Sequence, residues 1–246
     1  MSRTPNSRPE SGPSARLLLE YDGTNFAGWA LQPGRRTVQG VVEEALATVL
    51  RRPVELSVAG RTDRGVHARG QVASHAGVPA ALRGLNALLP EDVSALASEE
   101  APAGFDARRD ARSRTYRYRV LARSAPSPFE RDRALWWPRP LDRTALDECA
   151  AVLPGSHDFT AFTPADSDHV RFGRDVLRAE WVEESDDVLA FWIEADTFMR
   201  HMVRILVGTM LRSTPEALVR LLEGRARSEA GATAPAHGLY LESVRY

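Results

Sequence analysis

The stretch Val58-Ala59-Gly60-Arg61-Thr62-Asp63-Arg64-Gly65-Val66-His67-Ala68-Arg69-Gly70-Gln71-Val72 organises the rest of the chain. An apolar run from Val54 to Ala59 leads into it, and a second, Gln71 to Ala76, leads out. Between them stand three glycines, three arginines, one histidine and one acid. Glycine accepts positive φ and lets another backbone come close. The pattern therefore predicts two strands joined by a glycine-punctuated turn, a rigid support that holds a few polar groups up. Asp63 is the only carboxylate there, with Arg61 and Arg64 flanking it. A nearby guanidinium favours the charged form of an acid, so Asp63 can serve as nucleophile, general base or salt-bridge partner. Taken alone, an aspartate in such a turn is more often a turn former or helix cap than a catalyst.

Around this stretch the first hundred residues read strand, helix, strand, strand, helix, strand. Arg16 to Tyr21 is a strand. Thr37 caps a helix from Val38 to about Arg51, with Val38, Val41, Val42, Ala45, Leu46, Val49 and Leu50 at helical spacing. Pro79 to Leu89 reads as a short helix and Val93 to Ala101 as a strand. That order is the split βαβ, ferredoxin-like unit. The second half alternates in the same way. Ser113 to Leu121 puts Tyr116, Tyr118 and Val120 on one face and Arg117 and Arg119 on the other. A Pro-rich loop covers Pro126 to Pro140. Helices follow at Thr144 to Val152, His157 to Phe162, Phe198 to Leu211 and Pro215 to Gly224, with strands at Val176 to Glu183, Val188 to Asp196 and Gly238 to Tyr246. The expected division is a disordered tail (1–14), an N-terminal α+β subdomain carrying the Asp63 turn (15–105) and a C-terminal α+β subdomain (106–246). The two halves share one mostly antiparallel sheet, with helices on one face and a central cleft.

Composition narrows the function classes. The 246 residues are 43% hydrophobic and 26% charged, as in a water-soluble globular protein. No apolar run nears the eighteen or so residues of a membrane span, and Met1 to Ser14 lacks the apolar core of a signal peptide. With the single cysteine, Cys149, this fits the cytoplasm and excludes an internal disulfide or a cysteine metal cluster. No Walker loop, dinucleotide fingerprint or clustered ligand set calls for a cofactor or zinc, so none is expected. Net charge is −1 and every basic residue is arginine. Seven arginines fall between Arg108 and Arg123 against one acid, while seven acids and no base fall between Glu180 and Asp196. Such segregation predicts either one positive face able to recruit a polyanion or two solvated strand faces.

A series of motifs in order then resembles the TruA family of tRNA pseudouridine synthases. They are Tyr21-Asp22-Gly23-Thr24-Asn25-Phe26-Ala27-Gly28-Trp29, Arg36-Thr37-Val38-Gln39-Gly40, the Gly60–Val72 stretch, Leu85-Asn86-Ala87-Leu88-Leu89-Pro90-Glu91-Asp92, Arg114-Thr115-Tyr116-Arg117-Tyr118, Gly155-Ser156-His157-Asp158-Phe159, Phe198-Met199-Arg200-His201-Met202-Val203-Arg204 and Ala234-Pro235-Ala236-His237-Gly238-Leu239-Tyr240-Leu241. The resemblance runs from about residue 16 to the C-terminus. The chain departs from it after Trp29, where Ala30-Leu31-Gln32 replaces an immediate glutamine, and at Ser74-His75-Ala76.

The resemblance implies the pseudouridine synthase fold and isomerisation of uridine to pseudouridine in the tRNA anticodon stem-loop, at positions 38–40, by a homodimer with tRNA across both subunits. It implies Asp63 as the catalytic carboxylate, Tyr116 as the tyrosine against the target base, Arg204 as the partner of the aspartate, Arg61 as a holder of the flipped nucleotide and Leu239 as an apolar pocket residue. Beside Tyr116, Arg114, Arg117 and Arg119 are expected to reach phosphates. Three routes stay open for the carboxylate: attack at C1′, removal of the 2′-proton, or addition to C6. Tyr116 or an associated water is a candidate for the C5 proton. His67, His157 and His201 show no metal-ligand spacing and read as hydrogen-bonding or packing residues. The rival readings are an aspartate-dependent hydrolase, which would want a second carboxylate nearby, and a non-catalytic RNA-binding protein on the same scaffold.

Overall fold

A computed structural model describes residues 12–167, 170–185 and 187–246, so most of the expected N-terminal tail lies outside the described residues. In chain order the elements are β1 (Ser14–Tyr21), α1 (Val38–Leu50), β2 (Ser57–Val58), β3 (His67–Ala76), α2 (Leu82–Asn86), β4 (Val93–Ala101), β5 (Ser113–Leu121), β6 (Leu135–Trp136), α3 (Arg143–Ala151), β7 (Gly155–Asp158), β8 (Gly173–Ser185), β9 (Val188–Ala195), α4 (Met202–Met210), α5 (Pro215–Leu221) and β10 (Leu239–Arg245).

The strands form one sheet in the order β4-β1-β3-β10-β5-β9-β8-β7, with β2 beside β3 and β6 beside β5. Numbering each half's four main strands along the chain gives 4-1-3-2 twice: β4-β1-β3-β2 and β10-β5-β9-β8. The ferredoxin-like repeat is thus present in both halves. Pairing is antiparallel except for β5 with β6 and for the seam between the halves, where β10 runs parallel to β3 through Tyr240↔His67 and Leu241↔Ala68.

One face of the sheet is apolar. Leu17, Leu19 and Tyr21 of β1 alternate with Arg16, Leu18 and Glu20 and pack with Val38, Val42 and Leu46 of α1. Tyr116, Tyr118, Phe191 and Ile193 pack with Met202, Val203 and Leu206 of α4 in the same continuous core. Burial of one stripe per helix, here spaced i, i+4 and i+8 along α1, is what fixes helices to that face.

Five local expectations change. β1 begins at Ser14, inside the expected tail. β2 has only two residues, because the backbone leaves β3 after Val58. His157–Phe162 is not one helix: Gly155–Asp158 pairs with β8, and only Thr160–Phe162 makes a 3-10 turn. The helix expected from Phe198 starts at Met202, because His201 takes φ 62° and interrupts the helical path. Leu135–Trp136, expected as loop, adds a short strand to β5.

Candidate active site

Asp63 lies in the loop that joins β2 to β3. Ala59 still pairs with Val72 through its N–H (2.9 Å), and then the chain turns away. Farther along β3, β10 takes the edge that β2 has vacated. The loop therefore emerges where one half's ladder stops and the other half's begins.

Its backbone is held from below. Gln71, fully buried, donates Nε2 to the Gly60 carbonyl (2.7 Å) and to Tyr21 Oη (3.2 Å). Tyr21 Oη also shares a 2.8 Å hydrogen bond with Thr62 Oγ1, and burial pushes its phenol up to about 12. Gly28, at φ 111°, is packed so closely that a Cβ would stand 2.9 Å from the Thr62 carbonyl oxygen, and Trp29 N–H donates to that same oxygen (3.0 Å). A Cβ on Gly23 would stand 2.0 Å from Val66 O. These two glycines of the 21–29 motif let its backbone lie directly on the Asp63 loop.

Across the cleft stands α4. Arg204 Nη1 approaches Asp63 Oδ2 at 3.3 Å, with the arginine side chain 14% exposed and the aspartate 29%. Arg204 is itself aimed by Nε donating to Ala234 O (2.8 Å), while Ala234 N–H returns a bond to Arg204 O (3.0 Å). His201 Nε2 lies 3.4 Å from the same Oδ2. Tyr116 projects from β5 beneath the loop, since a Cβ on Gly60 would be 3.2 Å from its Oη. Phe198 meets the Tyr116 ring edge-on at 4.9 Å. Burial, then the neighbouring Tyr21 and Asp63, push the Tyr116 phenol well above its ordinary value, with Arg114 opposing. Tyr116 is thus a protonated phenol at neutral pH. It offers an aromatic face and an O–H donor.

Asp63, Arg204 and Tyr116 are therefore brought together from both halves. The other expected residues are placed as follows. Arg61 is exposed, has no side-chain partner among the described residues, and lines a cavity of about 580 Å³ with Trp29 and Arg108. Leu239 is buried in the core at the start of β10, opposite Tyr118.

Of the three arginines expected at phosphates, Arg114 lies under the loop on the Tyr116 face, while Arg117 and Arg119 lie on the opposite face of β5 and line a cavity with Arg69, Arg133 and Tyr240. Arg114, 8% exposed, makes five hydrogen bonds to the carbonyls of Ala59, Arg108, Ala111 and Asp196. Arg117 pairs with Glu184 and Glu242 (both 2.7 Å), and Arg119 with Glu130 (2.6 Å) and Glu184 (2.9 Å). The physical reason is cross-strand proximity. The 180–196 hairpin lies beside β5, so Glu184 meets Arg117 and Arg119, and Asp187 meets Arg123.

Sequence reasoning missed His201 beside the acid and the loop-holding work of Arg114, Gln71 and the motif glycines. The signal for His201 was its position three residues before Arg204, one helical turn away. Its neighbour Arg200 pairs with Asp166. Among the described residues no group of three or more His, Cys, Asp or Glu could hold a metal, and no helix is long and apolar enough to cross a membrane.

Twin ferredoxin-like sheets fused along one seam, with a lone loop carboxylate gripped by an arginine from the other half, define an α+β enzyme of the pseudouridine synthase fold. A family model described as tRNA pseudouridine synthase matches residues 18–110 and 149–246, and the chain belongs to that family, whose members are isomerases. A relative named tRNA pseudouridine synthase A from Frankia casuarinae is 46% identical over 244 residues, covering 94% of this chain and 88% of its own. A relative of the same name from Moorella thermoacetica is 42% identical over 246 residues, covering 95% of this chain and 100% of its own. One from Myxococcus xanthus is 39% identical over 244 residues, covering 95% of this chain and 92% of its own.

Proposed function

We propose that this chain isomerises uridine to pseudouridine in tRNA, with Asp63 as the carboxylate that engages the target nucleotide. The observation that carries the reading is the contact of Asp63 Oδ2 with Arg204 across the two halves. A guanidinium at that distance can orient the carboxylate. The reaction breaks N1–C1′, turns the base, forms C5–C1′, releases the C5 proton and protonates N1, so atoms balance with no donor or oxidant. A uridine in a stem or loop must be extruded to reach such a cleft, and Tyr116 provides the aromatic surface that receives it. In this reading Arg61, exposed on the loop, holds the flipped nucleotide, and Leu239 is an apolar pocket residue. Because Tyr116 keeps its proton, an associated water takes the C5 proton more readily than the phenol does.

The targets we propose are the anticodon stem-loop uridines at positions 38–40, modified by a homodimer in the cytoplasm, a setting that suits the unpaired buried Cys149. The hydrolase reading finds no support, because the side chains that meet the Asp63 carboxylate among the described residues are Arg204 and His201, not a second carboxylate.

Tritium release from [5-³H]uridine-labelled tRNA tests the proposal. Asp63→Asn is expected to abolish release while tRNA binding survives. Wild-type turnover by that variant would overturn the assignment. Light scattering on the free protein and on its tRNA complex tests the dimer.

A further inference from the structure

Two described residues other than glycine have positive φ, Arg51 and His201. Arg51 closes α1, where a left-handed C-cap is common. His201 instead opens α4 at φ 62°, ψ 0°, and its side chain makes no capping bond. Left-handed backbone at a residue with a Cβ is uphill. It persists where the surroundings impose it, often at functional sites. Here the conformation carries the imidazole to Asp63, with Nε2 3.4 Å from Oδ2. Arg204 reaches that same oxygen at 3.3 Å. Asp63 Oδ1 has no partner among the described residues.

We propose that His201 is a positioning residue for Asp63: with Arg204 it pins Oδ2 from two directions, and so presents Oδ1, the unshared oxygen, to the target uridine. The inference rests on Asp63 being the reacting carboxylate. A carboxylate only accepts, so Nε2 must carry the proton in this contact. Distances of 3.3–3.4 Å are long for resting hydrogen bonds, and catalytic ones commonly tighten only when substrate is bound. The charged groups facing the ring are Asp63 from the loop, Arg204 and Arg200 from α4 and its approach, and Asp166. Burial holds the imidazole below its ordinary pKa. Asp63 and Asp166 oppose that shift, while Arg204 and Arg200 reinforce it. A neutral donor here orients the acid without adding a second cation to it.

Two substitutions separate positioning from fold. His201→Gly suits the left-handed backbone and deletes the ring. His201→Gln restores an amide N–H at about the reach of Nε2. With labelled tRNA, His201→Gly is expected to lower kcat about 10- to 100-fold, as small misplacements of reacting groups do. Its tRNA Kd should stay within about twofold of wild type and its melting temperature should not fall. His201→Gln should recover most of the lost kcat. Turnover of His201→Gly within about twofold of wild type would overturn the proposal, as would a loss that appears wholly in tRNA affinity. Active Asp63→Asn would instead overturn the underlying reading. Inactive Asp63→Asn beside normal His201→Gly would overturn the positioning role alone.

Discussion

The two halves have the same strand order and different hairpins at the corresponding place. In the C-terminal half β8 runs for thirteen residues and stays paired with β9 up to Ser185↔Val188. In the N-terminal half β2 pairs with β3 for two residues, and residues 59–66 leave the sheet before β3 begins. A fully paired hairpin satisfies its own backbone and has no room for a reactive group. A hairpin whose first strand gives out exposes the partner's edge, which β10 then completes from the other half. The carbonyls freed at Ala59, Gly60 and Thr62 are taken up by Arg114, Gln71 and Trp29 N–H. The site thus sits where the repeat is broken, at an irregular loop held at Ala59, Gly60, Thr62 and Val66.

The largest effect should come from undoing that support through backbone contact. Gly23→Ala would put a Cβ 2.0 Å from Val66 O, and Gly28→Ala one 2.9 Å from Thr62 O at a positive φ. Each is expected to destabilise by about 2–4 kcal/mol. Each should also lower turnover about 100-fold or more, because the Asp63 loop must shift. Denaturant melts and tritium release measure both quantities. Normal turnover by either variant would show that the loop does not need its seat.

Arg114→Leu ranks next. It strands four carbonyls, and the expected cost is about 3 kcal/mol. Arg114→Lys should not rescue it, because an ammonium cannot fork between them. The salt dependence of tRNA binding should be unchanged in any folded Arg114 variant. A flattened slope would mean that this arginine meets phosphate after all.

The smallest effect belongs to the far face of β5. Burial alone would raise Glu184, but hydrogen bonds from Arg119 and Arg117 outweigh it and hold the carboxyl below the usual range. A depressed acid stabilises the fold above its unfolded pKa, near 4.3, and that stability is lost as pH falls through the lower folded value. Wild type should therefore lose about 1 kcal/mol from this group on acidification below about pH 4, and Glu184→Gln should lack that component. Turnover at neutral pH should be equal in the two proteins. A large drop would connect the far face to the site.

Much of the fold was legible because its signals are local. Thr37 caps α1 as expected, accepting from Gly40 N, and β4 and β5 occupy the expected residues. The two-residue β2 was not legible. Val54–Ala59 is apolar enough for a full strand, but the Ser57↔Ser74 register carries Val54 past the end of β3, and toward the loop the β3 edge passes to β10, 173 residues on from His67 at Tyr240. Nor was the fate of the arginines. Tyr116 and Arg117 alternate correctly, yet sequence spacing says nothing about which strand's acids lie opposite.

By itself the sequence determined the alternation of elements in each half, the loop that carries Asp63, and, through its motifs, the family and the residues Tyr116 and Arg204. Those follow from turn chemistry, side-chain period and an ordered set of short patterns, all written along one dimension. Only the tertiary structure decided which groups meet. It set Arg204 and His201 on one oxygen of Asp63, buried Arg114 under the loop, and paired Arg117 and Arg119 with Glu184. These are contacts between distant residues, fixed by strand register and by the close approach that Gly23 and Gly28 allow.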